Sequence, residues 1–466
     1  MSAEPVIQNP PPIASGKGLL DIFRPAPPAA ALTDSAKIEA TYRVWQTRVL
    51  FFSIVGYATF YFVRKNLGIA IPLMGKELGI TKVNFGLFLT LHGVIYGVSK
   101  FLNGFLADRS NARVFMAVAL MASALLNVAF GSSASVVAFG LIWMANGWFQ
   151  GMGFPPCARL IANWFPPKQL ATKFSIWNSS HNIGSIGVLL LCGFLVSGKM
   201  FAANWRLCFF VPAALAVIVA VVLWFMLPDT PPSVGLPEFE GTHVEMPDKK
   251  SHEDFKAFVF KQVFCNKYIW LLSMANFFVY TIRYAVFDWG PTMLTEAKHI
   301  PIFNAAVMLS CFEAFGLIGA LFGGWLTDRF LGGRAARACV VYMALACVSV
   351  LLFWKIQTQS QLLITGLLCA TGFFVYGPQC LLAIACANLA TKRAAATAVG
   401  LTSIFGYAST TLSGWGLGFV VQHYGWNAGF AGLIGCALAG TLLFICAWPA
   451  KADGYEDNQC GRVAVK

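Results

Sequence analysis

The sequence predicts an all-α membrane protein with twelve transmembrane helices in two pseudo-symmetric six-helix bundles. Three observations lead there. Of its 466 residues, 58% are hydrophobic and only 11% charged, against about a quarter charged in a soluble domain. Apolar stretches long enough to cross a hydrocarbon core of about 30 Å recur along its length. One polar, Pro-rich segment, "PDTPPSVGLPEFEGTHVEMPDKKSHEDFK", divides these stretches six and six.

Residues 1–45 are rich in Pro and Ala without a basic-then-apolar leader, so a disordered cytoplasmic tail is expected there rather than a signal peptide. The first bundle is placed at 46–227, with spans at 46–67, 84–106, 113–131, 136–162, 172–197 and 205–227. A cytoplasmic central loop follows at 228–266. The second bundle is placed at 267–449, with spans at 267–292, 304–327, 336–355, 361–388, 394–420 and 425–449. Residues 450–466 form a second cytoplasmic tail. Sidedness follows from the short loops: one side gathers Arg109, Arg113, Lys168, Lys173, Arg329, Arg334 and Arg337, which puts that side and both termini in the cytoplasm.

The two halves also resemble each other. "GFLADRSNAR" begins at Gly104 and "GGWLTDRFLGGRAAR" at Gly323, so that Asp328 follows Asp108 by 220 positions. "NWRLCFF" and "GWNAGF" pair Trp205 with Trp426 at an offset of 221. Parallel repeats about an axis normal to the membrane describe one class of transporter. The Gly104, Asp108, Arg109 pattern resembles the loop signature of the major facilitator superfamily. Asp108 with Arg109, and Asp328 with Arg329, are read as latches between the halves. A plain positive-inside loop is the alternative, which two copies at the repeat offset disfavour.

Inside the first apolar segment of each half stands one arginine, Arg64 in "GYATFYFVRKNLGIAIP" and Arg283 in "ANFFVYTIRYAVFDWG", 219 positions apart. A charge at membrane depth is costly and usually faces a cavity on a substrate path. Helical spacing gives the same answer. Tyr57, Tyr61 and Arg64 share a face, as do Asn276, Tyr280, Arg283 and Phe287. His92, Tyr96, Lys100 and Asn103 form a stripe in the second span, and Asn178, His181 and Ser185 form one in the fifth. Single polar residues of this kind are commonly helix-packing groups; four stripes at similar depth are better explained by a water-filled site.

Guanidinium forks match phosphate or carboxylate oxygens and stay charged when buried. A phosphate monoester carries about −1.5 to −2 charges at neutral pH, so two arginines nearly neutralise it. His181 is placed to donate one more hydrogen bond, with an ordinary pKa near the second phosphate ionisation. Lys65 points about 100° away from Arg64 along the helix; Asp288 is its partner by repeat geometry. Glu313 is a further intramembrane acid. Pairing with the basic residues is favoured for both acids, with proton carriage as the alternative.

"YFVRKN", "YGVSKF", "ADRSNARVF", "GWFQGMGFPPCARL", "SIWNSSHNIG", "DTPPSVGLP", "FVYTIRYAVFDW" and "FFVYGPQ" run in consistent order from about residue 45 to 450. Together they resemble the organophosphate:phosphate antiporter family of the major facilitator superfamily, whose members exchange glycerol 3-phosphate or hexose 6-phosphates for inorganic phosphate. The resemblance implies that Arg64 and Arg283 are the phosphate-binding pair and that His181 matches the histidine of the glycerol-phosphate carriers. It also places Lys100, Tyr280, Asn178, Tyr376, Lys65, Asp288 and Glu313 in or beside the cavity. One departure stands out: "ATAVGLTSIFGYAS" lacks the Asp and Lys of one well-known hexose-phosphate carrier. The run as a whole looks like the chlamydia-type hexose-phosphate transporters and the related sugar-phosphate sensors, so glucose 6-phosphate is the first expectation.

An enzyme is not expected, since no nucleophile–base pair, Gly-rich phosphate loop or metal cluster stands out. The net charge of +13 comes without a basic soluble domain for nucleic acid, so positive-inside anchoring and an anionic substrate account for it. The thirteen scattered Cys read as small buried residues. The expectation is therefore a monomeric antiporter of the bacterial inner membrane, without cofactor or metal, whose partners are sugar phosphate, inorganic phosphate and lipid. A transporter-like sensor of external glucose 6-phosphate and a carrier specific for glycerol 3-phosphate are the alternatives.

Overall fold

A computed structural model describes residues 19–198, 203–239 and 258–450. The elements are helical. The first half holds α1 (Ser35–Phe62), α2 (Asn66–Leu78), α3 (Lys82–Asp108), α4 (Ala112–Ser132), α5 (Val136–Gly151), α6 (Phe154–Trp164), α7 (Pro167–Asn178), α8 (Ser180–Val196) and α9 (Leu207–Met226). The second holds α10 (Lys267–Ala297), α11 (Ile302–Phe330), α12 (Ala335–Lys355), α13 (Gln361–Leu389), α14 (Thr391–Ala408) and α15 (Leu417–Cys446). Among the described residues, nine helical segments are long and apolar enough to cross a membrane. Several others belong to one expected span that the backbone interrupts. The span expected at 136–162 is cut at Met152–Gly153, just before Pro155 and Pro156 open α6; proline has no N–H to give and clashes with the preceding turn. The span at 172–197 is cut at Ser179, and the first span at Val63–Lys65.

Contacts divide the chain into two compact units. The first comprises residues up to Ala70 and Ile95–Glu245; its core is built around Trp45, Trp164 and Trp177, all fully buried. Large apolar side chains such as Phe101, Phe105, Leu125 and Ile218 stay exposed. That is the surface a bilayer, rather than water, requires.

The second unit comprises Met246–Lys466 together with Ile71–Val94, a stretch that ends 152 positions before Met246 in the chain. Thr90 fastens this stretch: its Oγ1 donates to the Thr410 carbonyl (2.7 Å) and accepts from the Trp415 N–H (2.9 Å). A Cβ on Gly86 would lie 2.9 Å from the Trp415 Cα, so glycine is what lets the two backbones meet. Lys82 Nζ pairs with Glu296 at 3.1 Å, and the Lys82 N–H donates to Gln422 at 3.0 Å. These three residues border a cleft of about 580 Å³ lined also by Lys76, Thr292 and Thr295.

The disordered tail expected through residue 45 is corrected from Leu19 onward. Asn111 donates its N–H to the Phe23 carbonyl (2.7 Å), Ala29 to Pro232 (2.9 Å) and Leu32 to Gly235 (2.9 Å). Asp34 then caps α1 by accepting from the Ala36 N–H at 3.0 Å. The Pro/Ala composition hides this order because the pairing partners are backbone carbonyls of the "DTPPSVGLP" segment, not an apolar stripe. Tyr42 donates to the Pro237 carbonyl. Burial, and then the Glu238 carboxylate, push its hydroxyl up to about 12, which keeps it a donor. The remainder of the expected tail, residues 240–257 of the central loop and residues 451–466 lie outside the described residues.

Candidate functional site

In the first unit, Arg64 sits in the turn between α1 and α2 rather than on a continuous helix. The N–H groups of Arg64 and Lys65 both bond the Tyr61 carbonyl, at 3.3 and 2.9 Å. The guanidinium carbon lies 3.9 Å from the centre of the Tyr96 ring and 5.2 Å from that of Tyr61, within cation–π range of both. Lys100, one turn beyond Tyr96, feels the positive charge of Arg64, and its ammonium lies 3.9 Å from the Phe154 ring centre. His181 completes the group: its ring is 6.0 Å from that of Tyr61, and Nδ1 bonds the Asn178 carbonyl across the α7–α8 break. The Asn178 side chain is exposed, while Arg64, Lys65, Lys100 and His181 are half-buried. Arg64, Tyr61, Lys100, Asn178 and His181 are therefore brought together within this unit, with the Tyr61 ring beside both Arg64 and His181.

In the second unit, Arg283 lies within the unbroken α10 and is buried. Its guanidinium carbon is 4.6 Å from the Tyr376 ring centre and 5.9 and 5.8 Å from those of Tyr280 and Tyr284. Tyr376 donates its hydroxyl to Glu313, a fully buried carboxylate that also attracts Arg283 electrostatically. Glu313 thus belongs to the Arg283 group. Asp288 is nearly buried on the same helix, one turn further on.

Other expected residues are placed elsewhere. Asn103 donates to Ser99 Oγ at 2.9 Å, and Ser99 in turn to the Trp148 carbonyl, which ties α3 to α5 as helix-packing groups do. His92 falls in the stretch that groups with the second unit. Asp108, Arg109, Asp328 and Arg329 are exposed at the ends of α3 and α11. Near the first loop, Asp229 gathers a further set of polar and charged partners. Its carboxylate accepts from the N–H groups of Ala26 (3.0 Å) and Ala112 (2.9 Å), lies 3.4 Å from Arg159 and attracts Arg113. Sequence reasoning quoted the segment holding Asp229 without giving that residue a role. It also passed over Asn66, Asn127 and Asn146, whose only signal was an amide inside an apolar span.

Each unit thus holds one aromatic-walled basic group, beside a broken helix in the first and on an unbroken helix in the second. In fold, the chain is similar to a bacterial homologue of the human lysosomal transporter Spinster, in an inward-facing and unoccupied conformation. That likeness has a TM-score of 0.69 at 17% identity and covers 86% of this chain and 95% of the other. Residues 53–414 match the Major Facilitator Superfamily.

Sequence relatives narrow the class. The chain is 38% identical to the glycerol-3-phosphate transporter of Bacillus subtilis over 92% of its length and 98% of that protein. It is 36% identical to a probable hexose phosphate transport protein of Chlamydia pneumoniae, over 92% of this chain and 96% of the other. It is 34% identical to the membrane sensor protein UhpC of Salmonella typhimurium, over 93% and 98%. The chain belongs to the organophosphate:phosphate antiporters of the major facilitator superfamily. Its role is transport rather than catalysis, in a multi-pass bacterial membrane protein.

Proposed function

We propose that this chain imports a sugar phosphate, glucose 6-phosphate foremost, across the bacterial inner membrane in exchange for inorganic phosphate, working as a monomer with both termini in the cytoplasm. The observation that carries the proposal is the pair of arginines at matching positions of the two halves, each beside tyrosine rings. A phosphate group shared by ester and inorganic ion is the ligand both would take.

Exchange follows from electrostatics. Arg64, Lys100 and Arg283 are cations suited to hold an anion, and withdrawing charges from water without an anion bound to them costs several kcal/mol. A phosphate dianion supplies negative charge and acceptors for the two arginines. Only the loaded carrier then passes readily through a closed intermediate, so ester and phosphate each support the other's return. Lys65 and Asp288, with the Asp108–Arg109 and Asp328–Arg329 loops, are the candidates for contacts that form and break as the halves alternate. The organic part of the ester extends toward α13 and α14, where the departure in "ATAVGLTSIFGYAS" bears on selectivity.

Two named relatives motivate other outcomes: a glycerol-3-phosphate carrier and a membrane sensor. In proteoliposomes exchanging labelled phosphate, glucose 6-phosphate should compete more strongly than glycerol 3-phosphate, 3-phosphoglycerate or glucose. Stronger competition by glycerol 3-phosphate would reassign the substrate. Saturable binding without turnover would make the chain a sensor.

A further inference from the structure

The break that carries Arg64 is held by three asparagines. α1 ends at Val63, whose φ of −101° and ψ of 16° leave the helix, and α2 resumes at Asn66. An interrupted helix leaves carbonyls without their intrahelical donors, and at membrane depth no water replaces them. Here the Val63 carbonyl, immediately before Arg64, accepts from Asn127 Nδ2 of α4 and from Asn146 Nδ2 of α5, both at 2.9 Å. Asn127 Oδ1 accepts in turn from Asn66 Nδ2 at 2.8 Å, and Asn66 reaches the Cys208 carbonyl of α9 at 2.8 Å. All three asparagines are fully buried.

A buried amide costs free energy unless its groups are paired. Asn146 gives its donor to Val63 while its own Oδ1 finds no hydrogen-bond partner among the described residues. Packing alone gives no reason to place two amides on one carbonyl. The bonds have a clear consequence: they fix the direction in which the chain leaves α1, hence where the Arg64 guanidinium stands relative to Tyr96 and Tyr61. Arg283 has no such device, because the continuous α10 orients it.

We infer that Asn127 and Asn146, linked to Asn66, are positioning residues that clamp the α1–α2 break and so aim Arg64 at the bound phosphate. The inference rests on the phosphate-exchange function proposed above. A loosely aimed fork loses bidentate geometry and with it affinity for the anion, whereas a purely structural defect lowers the amount of working carrier.

The test is phosphate self-exchange in proteoliposomes, with KM and Vmax read separately and thermal unfolding followed in detergent. Asn127→Leu and Asn146→Leu should raise KM for inorganic phosphate about tenfold, as expected for a misplaced binding group, with a smaller effect on Vmax per folded protein. Asn111→Ala removes another buried asparagine that bonds only backbone, at the start of α4; it should lower the unfolding temperature and leave KM unchanged. If a leucine variant fails to fold, Asn146→Asp keeps the shape while withdrawing the donor, and the same rise in KM is expected. Wild-type KM in the Asn127 and Asn146 variants, beside an Arg64→Lys variant that does not exchange, would overturn the clamp alone. No phosphate exchange by the wild-type chain would overturn the function on which it rests.

Discussion

Arg64 and Arg283 carry the same charge at matching places in the repeat, yet their surroundings differ. Arg283 is buried on a continuous helix and already has a counter-anion: Glu313, bridged to it through Tyr376. Arg64 stands in a helix break, half-buried, with the Lys100 cation acting on it and the Tyr96 ring centre 3.9 Å away. One half therefore sets its arginine beside a buried carboxylate, and the other sets its arginine near a second cation. Internal repetition preserved the cation and changed the groups described around it.

Replacing the arginines tests what the two halves share. Arg64→Lys and Arg283→Lys should each reduce phosphate exchange by about 100-fold or more, because lysine keeps the charge and loses the bidentate fork. Near-normal exchange in either variant would show that only charge matters there. Next in size is Glu313→Gln, which removes the internal counter-anion. With Arg283 uncompensated, KM for phosphate should fall several-fold and release should slow, as expected for a lost charge-assisted partner. A raised KM instead would make Glu313 a support of the site and not a competitor.

Lys100→Met acts on the other side of the comparison. It should raise KM for phosphate by about tenfold or less, since a half-exposed cation contributes less than a buried one, and the loss should shrink at high salt. Smallest is Tyr376→Phe, which removes the hydroxyl bond to Glu313 but keeps the ring beside Arg283. A change of about 1 kcal/mol or less, a few-fold in KM, is expected. An effect as large as that of Glu313→Gln would mean that the hydroxyl itself holds the substrate.

The helical architecture was legible because a bilayer imposes long apolar runs, and the arginines because a charge in such a run is costly. What the sequence concealed was of a different kind. Val63–Lys65 contains neither Pro nor Gly, so the break beside Arg64 had no local signal; it depends on amides from helices about 60 and 80 residues away in the chain. The ordered stretch from Leu19 escaped notice because backbone pairing and the Asp229 carboxylate hold it, not side-chain periodicity. Glu313 was read as a further intramembrane acid in or beside the cavity, and the packing of α11 on α13 shows that Tyr376 ties it to the Arg283 group. The grouping of Ile71–Val94 with the second unit likewise depends on tertiary contacts such as Thr90 with Thr410.

The most direct test of coupled exchange is tracer flux in proteoliposomes of the wild-type chain. Vesicles loaded with labelled phosphate should release it rapidly when glucose 6-phosphate is added outside, and release little into buffer without a counter-anion. Vesicles holding no phosphate should take up almost no sugar phosphate, with or without a proton gradient. Robust uptake into empty vesicles that follows the proton gradient would contradict the account and make Asp288 or Glu313 a proton carrier.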